Sequence, residues 1–491
     1  MESCLEFSLL HRSLPLRIGR FLGVGEEGIT QVGSDRDERD YLIFWRNKSF
    51  IKVKWTGSKH GRTNTTNKSQ ACTAGEFQRH CEKGLHDWLA LKLTETFSLK
   101  NPKGGENIIA VPDFLNFLSQ VFKGTVEEKV NCIMRVQTSH SNGRSNKITR
   151  EEVAQYARCI AESYLKCSET TVNFRSWKGS QKITADVVSE FADFLLAELL
   201  YNGMASKEII STEPKKTTYE VEELISCLSR APLLLNLQSS VFSECFNFNK
   251  SLYVVNLIPP CLQANRRPEQ EELTMLDLTQ VIFINSQVPT ELRQEWRYLF
   301  STATDGESFS KMMGVILDKG STVLIIKDDT GRVFGAFADD SWSVGPKFFG
   351  SEKCFLFHLS PKLVPYNSTS FNQNYQYLNV QQQTMPNGLG MGGKLEYFGL
   401  WVDAEFGKGK CSPSCTTFTC PQLSKNQEFN IQALEVWGIG PEPIKEEGQR
   451  DSKSVLDKDP EARAILELMN KAPVSEGQRE KKKAYEEDDD D

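Results

Sequence analysis

Thr322-Val-Leu-Ile-Ile-Lys-Asp-Asp-Thr-Gly-Arg-Val-Phe-Gly-Ala-Phe337 decides the fold class. Its first five residues form an unbroken run rich in β-branched side chains, as expected of a strand buried on both faces. Asp328-Asp-Thr-Gly331 is turn chemistry, because aspartate bonds its own backbone and glycine accepts positive φ. A second run, Arg332 to Phe337, completes a hairpin. Moving outward, Cys354-Phe-Leu-Phe-His-Leu359, Phe398-Gly-Leu-Trp-Val402 and Leu434-Glu-Val-Trp437 read as further short strands. Strands at this spacing, with few helices between 305 and 440, predict an antiparallel sandwich.

Toward the N-terminus the period changes. Leu273 to Ser286 reads as a buried helix, and Pro289-Thr290-Glu291 as the opening of another through Trp296 and Phe300. Leu233-Leu-Leu and Tyr253-Val-Val suggest strands, followed by a loop at Pro259-Pro260. From 77 to 230 the pattern is helical. Phe114, Phe117, Leu118 and Val121 share one helix face, as do Val130, Ile133 and Met134. Thr149 followed by Glu152 is a capping box that opens a helix through Tyr164. Thr184 to Leu200 predicts another. Placing Ile148 at the eighth position of an EF-hand loop puts Glu152 at the twelfth, where a bidentate carboxylate belongs. Ser141, Gly143, Ser145 and Asn146 occupy the other diagnostic places. This is a degenerate EF-hand-like loop with no metal expected. Residues 1–75 carry no assignable period. Tyr41–Trp45 and Phe50–Trp55 resemble short strands, and polar Ser58–Gln70 reads as loop or disorder.

The tail from 441 to 491 holds 16 acidic and 10 basic residues, which predicts a solvated segment. One piece differs: Asp459 suits an N-cap and Pro460 the first helical position. Ala462, Ile465, Leu466 and Met469 then fall at i, i+3, i+4 and i+7. A helix over 459–470 would present them as one apolar stripe, the candidate partner-binding residues.

The 491 residues carry 39% hydrophobic and 10% aromatic side chains and a net charge of −7. That is enough apolar material for several cores and the wrong sign for broad nucleic-acid binding. Charged residues interrupt the apolar runs of the first 30 residues, so no secretory signal is expected. No apolar run is long enough to span a membrane. Thirteen scattered cysteines and no leader predict a reduced, cytoplasmic protein. Cys411, Cys415 and Cys420 form a cluster without a second pair or a nearby histidine, so ordinary thiols are expected rather than zinc ligands. Gly388-Leu-Gly-Met-Gly-Gly-Lys394 fits seven places of a phosphate loop, but Leu395 stands where a hydroxyl must hold Mg²⁺. It reads instead as a glycine-rich connection. His358 reads as structural, and no nucleophile–base motif occurs. Neither a catalytic residue nor a cofactor is expected.

Ordered blocks across 273–440 resemble the TLDc family: Trp296 with Leu299-Phe300-Ser301; Asp305-Gly306-x-Ser308-Phe309; Gly331-x-Val333-Phe334-Gly335-x-Phe337-Ala338; Ser341-Trp342; Phe349-Gly350; Phe355-Leu356-Phe357; Gly388 to Gly393; Gly399-Leu-Trp401; Cys415-Thr-Thr-Phe418; and Leu434-Glu-Val-Trp437. Within that family the chain resembles the subgroup linked to mTOR at the lysosome. The features are Lys123-Gly-x-x-Glu127-Glu128-Lys129, Phe398 to Asp403, Phe406-Gly-Lys-Gly409 and Ser454-Val-Leu-Asp-x-Asp-Pro-Glu-Ala462. The resemblance implies an α+β protein. A helical EF-hand-like region (77–230) precedes a TLDc β-sandwich flanked by helices (231–440 with its lead-in, core 273–440). It also implies a non-enzymatic adaptor that binds V-ATPase subunits and mTOR pathway components, peripheral to the lysosomal membrane. The subgroup begins Met-Gly; here Glu2 follows Met1, so N-myristoylation is not expected on this chain. Two alternatives stand beside this reading: an oxidation-resistance protein acting through reactive cysteines, and a calcium-sensing module.

Overall fold

The computed structural model describes residues 5–9, 29–32, 38–44, 50–56, 72–101, 104–137, 146–177, 180, 183–246, 257–263 and 274–443. The chain divides into two compact units, 1–442 and 443–491. The expected helix 459–470, with Ala462, Ile465, Leu466 and Met469, lies outside the described residues, as does Tyr253-Val-Val.

Four antiparallel strands come first: β1 (Leu5–Leu9), β2 (Ile29–Val32), β3 (Glu38–Phe44) and β4 (Phe50–Thr56), in the order β1-β4-β3-β2. The two stretches expected as short strands fall in β3 and β4.

The helices that follow are set by their caps. Thr73 and Glu76 form a capping box on Ala74–Gly84, and Thr149 and Glu152 form one on Arg150–Ser168. Each satisfies two otherwise orphaned backbone donors. Val111–Lys123 buries Phe114, Phe117, Leu118 and Val121, the face its spacing predicts. Their rings meet Phe77, Phe97, Phe242 and Phe246; Phe77 and Phe114 pack edge-on at 4.9 Å. Two short strand pairs tie loops together. β5 (Ser98–Leu99) pairs with β6 (Ile108–Ile109), and β7 (Lys147–Thr149) pairs with β8 (Thr218–Glu220).

Three local expectations need correction. Leu233-Leu-Leu is not a strand but the start of helix Leu233–Cys245. Leu234, Leu237, Gln238, Val241, Phe242 and Cys245 are buried at a helical spacing that a three-residue window cannot register. The helix expected to open at Pro289 is a 3₁₀ turn, Thr290–Leu292, followed by a strand. The alternating aromatics Trp296, Tyr298 and Phe300 favour the pleat there. The helix expected over Thr184–Leu200 pauses at Leu196, with Ala185–Leu195 before it and Ala197–Leu200 after it. The buried helix expected from Leu273 is observed as Leu278–Gln287, capped by Asp277.

The remaining strands are β9 (Cys261–Leu262), β10 (Trp296–Ser301), β11 (Thr322–Asp328), β12 (Val333–Ala338), β13 (Phe355–Ser360), β14 (Val364–Asn367), β15 (Gln376–Asn379), β16 (Gly388–Lys394), β17 (Tyr397–Asp403), β18 (Lys408–Lys410) and β19 (Glu428–Ile439). They join in one 11-stranded sheet, ordered β14-β13-β12-β11-β19-β18-β17-β16-β15, with β10 beside β19 and β9 beside β10. The 12-residue β19 makes the turn between layers: Glu428 to Asn430 pair with β18, while Ile431 to Gly438 pair with β11. Leu324 and Ile326 of β11 then share a core with Leu389 and Met391 of β16 and Leu400 and Val402 of β17. That is the expected sandwich, and the fold is α+β.

Val323 and Ile325, the other face of β11, belong to a different core that runs into the helices. This is why the run in β11 shows no polar alternation: one face meets the second sheet layer and the other meets helices. Trp177 sits at that seam, 5.6 Å from the Trp296 ring and 5.3 Å from the Trp437 ring. Its indole N–H donates to the Pro259 carbonyl at 2.8 Å. Lys362, just before β14, makes a second link. Its ammonium donates to the carbonyls of Thr212 (2.7 Å) and Ile209 (3.4 Å) and to the Glu213 carboxylate (3.0 Å).

Candidate functional site

Three places merit inspection as sites: the Glu152 loop, the glycine-rich strand with its neighbouring thiols, and the histidines.

Ile148 lies on β7 directly opposite Tyr219 of β8. Thr149 ends β7 and caps the following helix. Glu152 Oε2 accepts from the Thr149 backbone N–H and hydroxyl, each at 2.8 Å. Across the strand pair the arrangement recurs. Glu223 accepts from the Glu220 N–H at 3.0 Å and from the Lys216 ammonium at 2.6 Å. Both carboxylates therefore face their own helix ends and neither meets another carboxylate. Among the described residues no group of three or more His, Cys, Asp or Glu is arranged to hold a metal ion. Ser141, Gly143 and Ser145 lie outside the described residues.

The expected glycine-rich connection is a strand, which corrects that reading. β16 runs from Gly388 to Lys394 and is buried over all but its last residue. Its glycines make room for neighbours. A Cβ on Gly390 would stand 2.5 Å from the Phe398 ring and 3.0 Å from the Trp401 ring. Phe398 and Trp401 stack at 4.4 Å and enclose Tyr377. The glycines thus serve packing, and the strand offers no loop of free N–H groups for a phosphate.

The turn after β18 holds the three thiols. Cys411 is buried, donates to the Asn426 carbonyl at 3.4 Å and accepts from the Ser424 N–H at 3.4 Å. Burial raises its pKa. Cys415 is half-buried and behaves oppositely. A hydrogen bond from the Cys420 thiol, aided by the backbone N–H groups of Phe418 and Thr417, holds it down at about 6. Cys420 is buried, and its pKa rises correspondingly. The sequence grouped these residues correctly by proximity, but the roles within the group follow from the turn.

His358 is fully buried. One ring nitrogen lies 2.7 Å from the Leu423 carbonyl, which fixes it as the protonated donor; the other accepts from the Tyr366 hydroxyl at 3.0 Å. Burial lowers its pKa to about 4, so it is a neutral structural histidine. A second histidine, His86, resembles a catalytic line: Cys159 Sγ lies 3.4 Å from Nδ1 and Glu162 Oε2 lies 3.0 Å from Nε2. Yet Nδ1 also accepts the Trp88 N–H at 3.1 Å, as the cap of helix Asp87–Phe97. Burial pushes the Cys159 thiol to about 12. A thiol that keeps its proton is a poor nucleophile, and His86 is engaged as a helix cap. Spacing could not flag this contact, since the two residues are 73 positions apart.

Comparison with known proteins places these features in context. Residues 270–440 match the model of the TLDc domain. The chain is 37% identical over 392 residues to the MTOR-associated protein MEAK7 of Gallus gallus, covering 78% of this chain and 81% of that protein. It is 34% identical over 382 residues to the same-named protein of Homo sapiens, covering 77% and 82%. Similarity to Nuclear receptor coactivator 7 of Homo sapiens is 34% over 145 residues and takes in only 15% of that larger protein.

Proposed function

From the premise that the chain belongs to the TLDc family, in the branch of the MTOR-associated proteins, we propose that it is a non-enzymatic regulator of mTOR signalling. In this reading it binds the vacuolar-type proton pump, the V-ATPase, at the cytoplasmic face of the lysosome. The observation that carries the reading is similarity to MEAK7 over 81% of that protein's length, far beyond the shared domain. Neither group of relatives bears the name of an enzyme. The geometry is consistent with a platform. Both faces of β11 are buried, His358 is satisfied by Tyr366 and Leu423, and Glu152 and Glu223 are engaged in helix caps.

Docking would use the apolar stripe Ala462, Ile465, Leu466 and Met469. Burial of a large apolar side chain yields roughly 1.5–3 kcal/mol, before the cost of ordering the segment. Membrane association would be peripheral; no helix among the described residues is long and apolar enough to cross a membrane. In cells depleted of the protein, re-expression of the wild-type chain should restore phosphorylation of mTOR substrates and lysosomal recovery of the chain with the pump. Ile465→Asp with Leu466→Asp should restore neither. Full rescue by the double variant would remove the stripe from the mechanism, and no rescue by wild type would remove the signalling role.

A further inference from the structure

We propose that Cys415 and Cys420 form a reversible disulfide, an oxidant-gated clasp across the turn between β18 and β19. This goes beyond the adaptor reading and stands independently of it.

The argument begins with the turn. Ser414 and Pro421 are bridged in antiparallel fashion, so the next residues inward, Cys415 and Cys420, oppose one another. Opposed residues of an antiparallel pair have Cα atoms about 4.5–5.5 Å apart. That falls within the roughly 4.4–6.8 Å a disulfide requires. The two thiols already share a hydrogen bond, with Cys420 as donor.

Space for Cys415 comes from missing side chains on the strands beneath. A Cβ on Gly392 would stand 2.8 Å from Cys415 Sγ, and one on Gly399 would stand 2.9 Å from it. The sulfur thus lies against β16 and β17, with N–H groups of its own turn aimed at it. A sulfur supplied with such donors is held as thiolate, the reactive form. The contrast with the other thiols is sharp. Burial pushes Cys72, Cys132, Cys159 and Cys227 to about 12. Cys411, although close by, is engaged by Asn426 and Ser424. This leaves Cys420 as the resolving thiol.

The chemistry needs a two-electron oxidant, for which hydrogen peroxide suffices. The Cys415 thiolate attacks one peroxide oxygen and the O–O bond breaks. Hydroxide leaves and takes a proton from solvent, giving water and a sulfenic acid. Cys420 sulfur then attacks the Cys415 sulfur; the S–O bond breaks, and the departing hydroxyl leaves as water with the Cys420 proton. Two thiols become one disulfide and one peroxide becomes two waters. A dithiol reductant reverses the change.

The test uses the full chain, reduced and then treated with one equivalent of hydrogen peroxide. After alkylation of the remaining thiols, non-reducing peptide mass spectrometry should find Cys415 joined to Cys420, and dithiothreitol should restore both. The pH profile of Cys415 alkylation should have its midpoint near 6. Cys420→Ser should accumulate a sulfenic acid at Cys415, trapped by dimedone, while Cys415→Ser should leave Cys420 reduced. Wild-type protein in which both thiols survive peroxide, or in which Cys415 pairs elsewhere or passes directly to sulfinic acid, overturns the proposal. The wild-type experiment decides the matter whether or not either variant folds.

Discussion

Replacing Trp177 by alanine tests whether helices and sheet form one mechanical body. Trp177 is 1% exposed and touches Trp296 of β10 and Trp437 of β19. Its N–H satisfies the Pro259 carbonyl. Truncating a buried tryptophan costs about 3–5 kcal/mol through lost burial and the cavity left behind. Leaving the carbonyl unpaired adds about 1–3 kcal/mol if water cannot reach it. We expect Trp177→Ala to lose about 4 kcal/mol or more. Trp177→Phe keeps most of the ring contact and loses the hydrogen bond, so it should fall between alanine and wild type. Urea unfolding followed by far-ultraviolet circular dichroism gives the helical signal, and near-ultraviolet dichroism reports the sheet tryptophans. Both signals should move together to lower urea. A loss below about 1 kcal/mol, or a helical transition that shifts while the sheet transition stays, would refute the shared-core argument.

Three other outcomes follow from the same geometry. The folded His358 pKa of about 4 lies below the ordinary 6.5, so folding favours the neutral ring. Its contribution is full above pH 6.5 and declines as pH falls toward 4, by about 3 kcal/mol in all. Unfolding measured across that window should show the slope, and His358→Gln, which cannot titrate, should flatten it; His80, also lowered by burial, adds to the same arm. Gly390→Ala forces a Cβ against Phe398 and Trp401 and should cost about 1–3 kcal/mol. Gly345→Ala, where a Cβ meets nothing within 4 Å, should stay within about 0.5 kcal/mol in the same thermal melt. Millimolar Ca²⁺ should leave the Tm of the full chain unchanged, since a ligand that binds the native state raises it by mass action; a rise abolished by Glu152→Gln would revive the calcium-sensing reading.

The hairpin Thr322–Phe337 was legible because burial on both faces writes an unbroken apolar run, and Asp328 and Gly331 mark its turn. The capping box at Thr149 was legible for a similar reason: two residues three apart satisfy each other locally. Features that depend on distant partners were not. Leu233-Leu-Leu has the same composition in a strand as in a helix, and only the longer run to Cys245 separates them. The alternating aromatics of β10 were absorbed into a helix because Pro289 resembles a helix start. Gly388 to Gly393 looks like a loop until Phe398 and Trp401, which fill the space above it, are placed. At the thiol turn, Cys411, Cys415 and Cys420 were grouped by proximity. Which of them is activated depends on the N–H groups of Thr417 and Phe418 and on the bridge between Ser414 and Pro421. Lys362 carried no signal at all, since its partners lie some 150 residues earlier.

The most direct measurement is the affinity of the purified full chain for purified, detergent-solubilised V-ATPase, with turnover assays run on the same preparation. The account predicts saturable binding, weakened about 100-fold by Ile465→Asp with Leu466→Asp, as expected when two apolar anchors worth at least about 1.5 kcal/mol each are lost. It also predicts no chemical turnover by the chain itself. Absence of binding by the wild-type chain, or equal binding by the double variant, would contradict it.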